Sequence, residues 1–572
     1  MRKLLIVFLS SGLMLAAALT GVFAGQDEIL KALREELTRS MARLRLPGHS
    51  DPYYISYRLT QTDGYYLNAA LGAIIDEHGA PDRKLYVEIR VGDYQFDNSS
   101  SRSELDNFDP DIDTSDYMRF IDAPLDDDPD ALRARLWRVS DSRYKNALAA
   151  YLNKKARSIY REAQDKDLAD FTREQPVKFR QSNSPFKIDK PHWQVMARKA
   201  SLLFKNYPEI LESEVDLQIQ RQTQYLMNTE GTDILTEGFF FAVSAQASAL
   251  ATDGMRVQHV YSYYTRSLEG LPTEKEILDG ITQMAQELVA LRQAPVLGPY
   301  TGPAILDPTV AGIFFHEAIG HRLEGDRTRN TDEGQTFKGK LGKDILPNFI
   351  DVYDDPTVVR YGSSYLNGYY AFDEEGVPSR RADLVREGKL VGFLLSRKPI
   401  EHFSQSNGHG RASAARAPMS RMGSLFIVTR QTVTAAKMKE MLLEQARAQG
   451  KPYGLRLTHG MAGETATDQF NFQAFANRPT LLYRVDAQTG KEELVRGVEL
   501  VGTPLLSINK VLAAGDDSGV FNGYCGAESG FIPVSSVAPS LLVSEIELQR
   551  VRDKPTKPPI LPAPYLEMPG KK

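Results

Sequence analysis

Apolar side chains recur at helical spacing over residues 26–48 (QDEILKALREELTRSMARLRLPG), and the pattern breaks at Pro47-Gly48, so an amphipathic helix is predicted there. The period then changes. The stretch YYISYRLTQTDGYYLNAALGAIIDEHGAPDRKLYVEIRVGDYQF alternates in short runs interrupted at Asp63-Gly64 and at Gly79-Ala80-Pro81, which predicts antiparallel hairpins turning at those points. Helical spacing returns from about Asp130 to Phe171 and near His192 to Phe204. Alternation resumes in SEVDLQIQRQTQYLMNTEGTDILTEGFFFAVSAQASA, with Glu230-Gly231 as the turn between two strands, and residues 273–292 predict another helix. The Pro- and Gly-rich stretch APVLGPYTGPAILDP then marks the main boundary. Beyond it the pattern predicts mostly short strands and turns, one helix starting near Asp307 and one from about Thr434 to Gln449. The predicted class is α+β: an N-terminal α+β domain over 25–295, a β-rich C-terminal domain over 296–553, and a Pro-rich, extended tail over 554–572.

A length of 572 residues agrees with that division, because it exceeds what one hydrophobic core serves. At the N-terminus, Arg2 and Lys3 precede an apolar run from Leu4 to about Leu19, and Val22-Phe23-Ala24 supplies cleavage-site residues. This predicts a secretory signal peptide over 1–24 and a periplasmic or extracellular location; an uncleaved anchor is the other reading, since the run is close to bilayer length. The formal net charge of −5 gives no basic face, so nothing points to a nucleic-acid partner. Aspartates between 104 and 130 fail the EF-hand spacing and read as a solvated acidic loop. The single cysteine, Cys525, has no internal disulfide partner, and an exported free thiol is explained either by burial or by capture of a metal.

The segment PTVAGIFFHEAIGHRLEGD carries the candidate chemistry. Asp307 suits an N-cap and Pro308 the first helical position, where a missing N–H costs nothing. Val310, Ile313, Phe314 and Phe315 continue an apolar helix that delivers His316 and Glu317 near its end. The H-E-x-x-H signature sets two imidazoles four residues apart on one helix face, whereas His316 and His321 are five apart. Five residues at about 100° each turn the second ring about 140° away. A regular helix therefore cannot aim both at one ion. A π-bulge, or a helix ending around Gly320, brings His321 back; two unrelated histidines is the other reading.

Two neutral imidazoles need a third ligand and an open position to form a catalytic zinc site. Cys525, in FNGYCGAESG, is the best candidate, since the surrounding glycines allow close backbone approach and a divalent cation deprotonates a thiol. Glu324 and Asp326 are rival ligands, or orient the histidines by hydrogen bonds. Glu317, next to a ligand but pointing off the ion, is placed to take a proton from activated water and pass it to a leaving amine. No G-x-S-x-G elbow, Walker motif or dinucleotide glycine motif is present.

Together, HEAIGHRLEGD, FKGKLGKDILP, FDEEGVPSRRADLVREGKLVGFLLSR, NGHGR, PMSRMGSLFI and CGAESGFIPV resemble the catalytic half of the TldD/PmbA metallopeptidase family, in family order from about Thr301 to Ser544. The resemblance implies one zinc ion held by His316, His321 and Cys525, Glu317 as the catalytic glutamate, and action on unfolded or extended peptides. It also implies assembly as a homodimer, or as a heterodimer with a motif-less PmbA (TldE) subunit, this chain being of the catalytic TldD type. His409 and Arg411 in SNGHGRAS either face the cleft and bind substrate or serve the structure alone. Two other functions share the pattern: an exported metal-binding or scaffold protein without turnover, and a zinc amidase acting on a small molecule or cell-wall peptide.

Overall fold

The computed structural model describes residues 26–99, 121–157, 168–181, 186–329, 335–465, 475–502, 508–551 and 556–566. The predicted signal peptide, most of the aspartate-rich loop and both ends of the tail lie outside them. No helix among the described residues is long and apolar enough to cross a membrane.

The first half is a sheet of seven strands: β1 (Pro52–Ala70), β2 (Ala73–His78), β3 (Pro81–Val91), β4 (Lys178–Arg180), β5 (Ile210–Asn228), β6 (Asp233–Leu250) and β7 (Arg256–Thr265). Strands β1, β5, β6 and β7 are long antiparallel neighbours, and β7 forms an edge that pairs with β6 alone. Four helices cover one face: α1 (26–43), α2 (Pro129–Arg157), α3 (Lys190–Leu202) and α4 (Glu274–Gln293). Odd-numbered side chains of β1 and β5 supply that face. Leu59 and Met227 pack with Leu33 and Leu136, while Leu67 and Leu217 pack with Met196 and Ile281. Side chains alternate along a strand, so Asp216, Gln218, Gln220 and Gln222 point to the opposite, polar face.

The second half is a sheet of eleven strands. In chain order these are β8 (Tyr300–Leu306), β9 (Ile350–Asp354), β10 (Ala382–Arg386), β11 (Lys389–Leu390), β12 (Ser424–Thr429), β13 (Tyr453–Thr465), β14 (Phe475–Asp486), β15 (Glu492–Val495), β16 (Val498–Gly502), β17 (Val511–Ala527) and β18 (Gly530–Arg550). Strand β8 pairs with both β13 and β18, so β18, β16, β14, β13 and β8 close a ring. Helix α5 (Pro308–Ala318) is apolar all round and is buried from Val310 to Ala318, as such a helix must be. Helix α6 (Ala435–Ala448), capped by Thr434, packs on the outside. Strand β17 pairs with β18 alone along Ser518–Ala527, leaving its other edge without a strand neighbour among the described residues.

Buried arginines join the two halves. Arg58 of β1 donates to the carbonyls of Glu374 at 3.0 Å and Arg416 at 2.7 Å. Arg397 reaches the other way, to Tyr54 Oη at 3.1 Å and Glu230 Oε1 at 2.7 Å. The boundary expected at 295/296 falls in the connection between α4 and β8.

Three expectations change. Neither Asp63-Gly64 nor Gly79-Ala80-Pro81 is a turn: β1 runs through the first in unbroken register with β5, Arg221 holding Asp63 at 2.6 Å, and β2 and β3 continue across the second along one edge of β1, with Tyr66 opposite His78 and Asp63 opposite Pro81. The hairpin turns instead at Leu71-Gly72, where φ is 49° and 85°, the double positive that a two-residue turn matching strand twist requires. Helix α2 ends at Arg157, and residues 168–171 are irregular, with Phe171 stacked beneath the Arg397 guanidinium at 4.0 Å. Most C-terminal strands are short, as expected, but β13, β14, β17 and β18 are long: Gly519, Gly523 and Gly526 of β17 pair in register with β18, and the irregularity between Ala514 and Ser518 is a bulge rather than a break.

Candidate metal centre

Helix α5 begins as its sequence dictates: Asp307 Oδ1 accepts from Val310 N at 2.8 Å and Pro308 follows in the first turn. It stops at Ala318. Ile319 leaves helical geometry at φ −120°, and Gly320–Leu323 form a 3-10 turn that swings His321 back beneath His316. Of the two ways to bring five-spaced histidines together, the chain uses termination. Space at Gly320 is tight: a Cβ there would lie 2.1 Å from Met422 Sδ, so a side chain would have to displace Met422. Arg322 donates to the freed carbonyls of Glu317 at 2.8 Å and Ala318 at 3.3 Å, closing the helix end.

The result is a buried, convergent set. His316 Nε2 lies 3.2 Å and His321 Nε2 3.3 Å from Cys525 Sγ, and the two rings stand perpendicular with centroids 5.0 Å apart. All three side chains line one cavity of about 1080 Å³ between the halves of the chain. Zinc bonds of about 2.3 Å to sulfur and about 2.0 Å to nitrogen at a tetrahedral angle separate S from N by about 3.5 Å, so both imidazole–thiol spacings fit one such ion held by His316, His321 and Cys525. Among the described residues they form the only group of three or more His, Cys, Asp or Glu able to converge on a metal.

A second layer of charge holds the set. Glu324, fully buried, accepts from His321 Nδ1 at 3.1 Å, which leaves Nε2 for the ion. Burial opposes its ionisation, but His321, Arg327 and Arg421 hold its carboxyl down to about 2. Arg327 bridges Glu324 at 2.7 Å and Glu528 at 3.2 Å, and Arg421 donates to the Cys525 carbonyl at 2.8 Å and to Ser529 Oγ at 2.8 Å. Burial likewise opposes ionisation of Cys525, yet His321 and His316 hold its thiol well below the ordinary range. Glu317 differs. Burial pushes its carboxyl up, against the pull of His316 and His321, and its Oε2 stands 3.9 Å from His321 Nε2 on the cavity wall. Replacing Glu324 with Gln keeps the shape but removes the charge that orients His321; metal affinity is expected to fall about 10–100-fold, read by competition with a chromogenic chelator.

The remaining expectations part ways. Asp326 turns away from the histidines and accepts from Ser396 Oγ at 2.6 Å, so the geometry makes it neither a ligand nor a support for one. His409 and Arg411 do not line the cavity. His409 has no exposed surface and is held by Asp354 at 3.1 Å and Asn407 at 2.9 Å. Arg411 donates to the carbonyls of Met422 at 2.8 Å and Pro533 at 2.9 Å over the Tyr370 ring. Both are buried away from the cavity lining. Sequence reading missed Arg327, Arg421 and Glu528; the i, i+3 spacing of Glu324 and Arg327 was the available signal for the first.

A buried imidazole–imidazole–thiol set beside a carboxylate whose pKa burial raises, open to a large cavity, is an arrangement able to hold a metal ion. Residues 299–550 match the family described as PmbA/TldA metallopeptidase C-terminal domain. A metalloprotease of Archaeoglobus fulgidus is 30% identical over 275 residues, covering 47% of this chain and 58% of that protein. A zinc metalloprotease TldD homolog of Saccharolobus solfataricus is 31% identical over 257 residues, covering 44% and 52%. The chain thus spans about half the length of these curated relatives. The fold extends further: the structure of TldE from Thermococcus kodakarensis superposes with a TM-score of 0.58 at 13% identity, covering 87% of this chain and 97% of that one. A Thermotoga maritima protein named as a modulator of a DNA gyrase gives 0.61 at 16%, covering 90% and 99%. Residues 299–550 thus match the TldD/PmbA metallopeptidase family, and the fold shared with TldE extends over most of the rest of the chain.

Proposed function

We propose that the chain is a zinc-dependent peptidase of the catalytic TldD type that cuts extended, unfolded peptides, with Glu317 as general base and then general acid. The observation that carries this reading is the convergence of His316, His321 and Cys525 on one point of a cavity wall, with the Glu317 carboxylate beside it. One ion at that point would supply Lewis acidity to the scissile carbonyl and to the attacking water. Glu317 does the proton work. Burial favours the protonated form of its carboxyl, which suits a base that must return the proton to a leaving amine. Two edge strands flank the cavity, β7 from the first half and β17 from the second, and both contribute lining residues. Unpaired strand edges take up extended peptide backbone by main-chain hydrogen bonds, which favours unfolded substrates over folded ones. Zinc as the ion draws support from the protein named as a zinc metalloprotease TldD homolog in Saccharolobus solfataricus.

Export follows from the charged and apolar pattern of residues 1–24. Assembly with a second copy, or with a TldE-like subunit, draws support from the shared fold of the Thermococcus kodakarensis TldE. The test is cleavage of a reduced, carboxymethylated protein against the same protein in its native state, with the zinc-loaded chain and any copurifying partner. The expected result is cleavage of the unfolded form alone, lost on chelation and restored by zinc. Absence of metal-dependent cleavage of either form would favour a binding or scaffold role.

A further inference from the structure

Cys525 shares one face of β17 with Phe521 and Gly523, because side chains alternate along a strand. Gly523 has no side chain, and the Phe521 ring fills the place: a Cβ at 523 would lie 2.8 Å from Phe521 Cζ and 3.0 Å from its Cε1. A glycine inside a strand often marks such a close approach. The ring thus leans along the strand toward the metal set. Its tip stands over a residue two places from Cys525, about 7 Å away at about 3.3 Å per residue.

Helix α5 supplies the adjoining wall. Ile313 precedes His316 by three residues and Glu317 by four, so the three share a helix face with neighbouring Cβ atoms about 5–6 Å apart. Phe521 packs on the same helix, its Cβ 3.6 Å from where a Cβ on Gly312 would fall. Val534 lies opposite Gly523 in the β17–β18 ladder and clusters with Cys525. Phe521, Ile313 and Val534 all line the cavity that holds His316, Glu317, His321 and Cys525. Ile313 and Val534 are buried, whereas Phe521 is half-buried and leaves apolar surface open to the cavity. An apolar side chain seated against this wall would remove that surface from water.

We propose that Phe521 is a specificity-determining residue which, with Ile313 and Val534, forms a subsite for a large apolar side chain on a residue flanking the scissile bond. This rests on the peptidase reading of the metal centre and adds a side-chain preference to it. A scissile bond beside the Cys525 thiol has its two flanking Cα atoms about 3.8 Å apart, so a leucine side chain on either one spans the gap to the ring.

The test uses two unstructured peptide series built on one cleavage site, one varying the residue on the amino side of the cut bond and one that on the carboxyl side, each through Ala, Leu and Trp. With the zinc-loaded native chain, kcat/KM for Leu is expected to exceed that for Ala at least tenfold in one series, as an apolar pocket discriminates. Phe521→Ala removes the ring and enlarges the subsite, so the Trp to Leu ratio is expected to rise about tenfold over the native value. Gly523→Ala acts the other way, because its methyl pushes the ring into the subsite, and the same ratio is expected to fall. Phe521→Leu, a smaller loss of packing, should move the ratio in the Phe521→Ala direction by a smaller factor. Zinc content is expected to stay at the native level in all three, and loosened packing alone would not shift one ratio in opposite directions. Cleavage by the native chain with Leu and Ala alike in both series overturns the subsite and leaves the peptidase reading intact. A Trp to Leu ratio that none of the variants moves, or that Phe521→Ala and Gly523→Ala move the same way, removes Phe521 from selection. Failure of the zinc-loaded native chain to cleave any member overturns both readings.

Discussion

Glu317→Gln is expected to lower kcat on an unfolded substrate by about 10²–10⁴-fold, the usual worth of a positioned general base, while zinc content stays at the native level. The two readouts separate because of where the atoms lie. The three donors are on His316, His321 and Cys525, and Glu317 stands 3.9 Å from His321 Nε2 without belonging to the converging set. The amide keeps the shape of the carboxyl and cannot accept a proton. It also removes a carboxylate whose ionisation burial disfavours, so the melting temperature is expected to hold or rise. Loss of zinc together with activity would show that Glu317 is a ligand, and unchanged activity would remove it from the mechanism.

Cys525→Ser is expected to act in the opposite order, on the metal first. Zinc binding of roughly 10–16 kcal/mol spread over a full ligand set makes one thiolate worth about 3 kcal/mol, or at least a hundredfold in Kd. A serine hydroxyl is a far poorer ligand because it is not deprotonated by the two imidazoles that hold the Cys525 thiol low. The variant should therefore purify without stoichiometric zinc and without activity, yet fold, since Cys525 packs in a small cluster with Ile532 and Val534 alone. Retention of a full zinc complement would mean that the ion sits elsewhere.

Much of the site was legible because its parts are local or chemically unusual. The capped start of α5 follows from Asp307-Pro308, and a lone cysteine among glycines in a chain with a spaced histidine pair attracts attention whatever the fold. The choice between a bulged and a terminated helix was not legible, since it depends on Met422, distant in sequence, occupying the space a side chain at 320 would need. The same holds for Arg327 and Arg421, ordinary charges until the fold lays Glu324 and Glu528 beside one and the Cys525 carbonyl beside the other. His409 and Arg411 lie in a stretch of turn composition, and only the fold shows them buried against Asp354 and the Tyr370 ring rather than on the cavity wall. In the fold, strand periodicity in the first half carried through, but Asp63-Gly64 shows its limit: a dipeptide that favours a turn yields to a strand whose partner β5 pairs with it on both sides of the glycine.

The most direct measurement is X-ray absorption at the zinc edge on the purified, full-length chain after metal quantification. One zinc per chain is expected, with one sulfur at about 2.3 Å and two imidazole nitrogens at about 2.0 Å. A shell of nitrogen and oxygen alone, with no sulfur, would contradict the centre described for His316, His321 and Cys525.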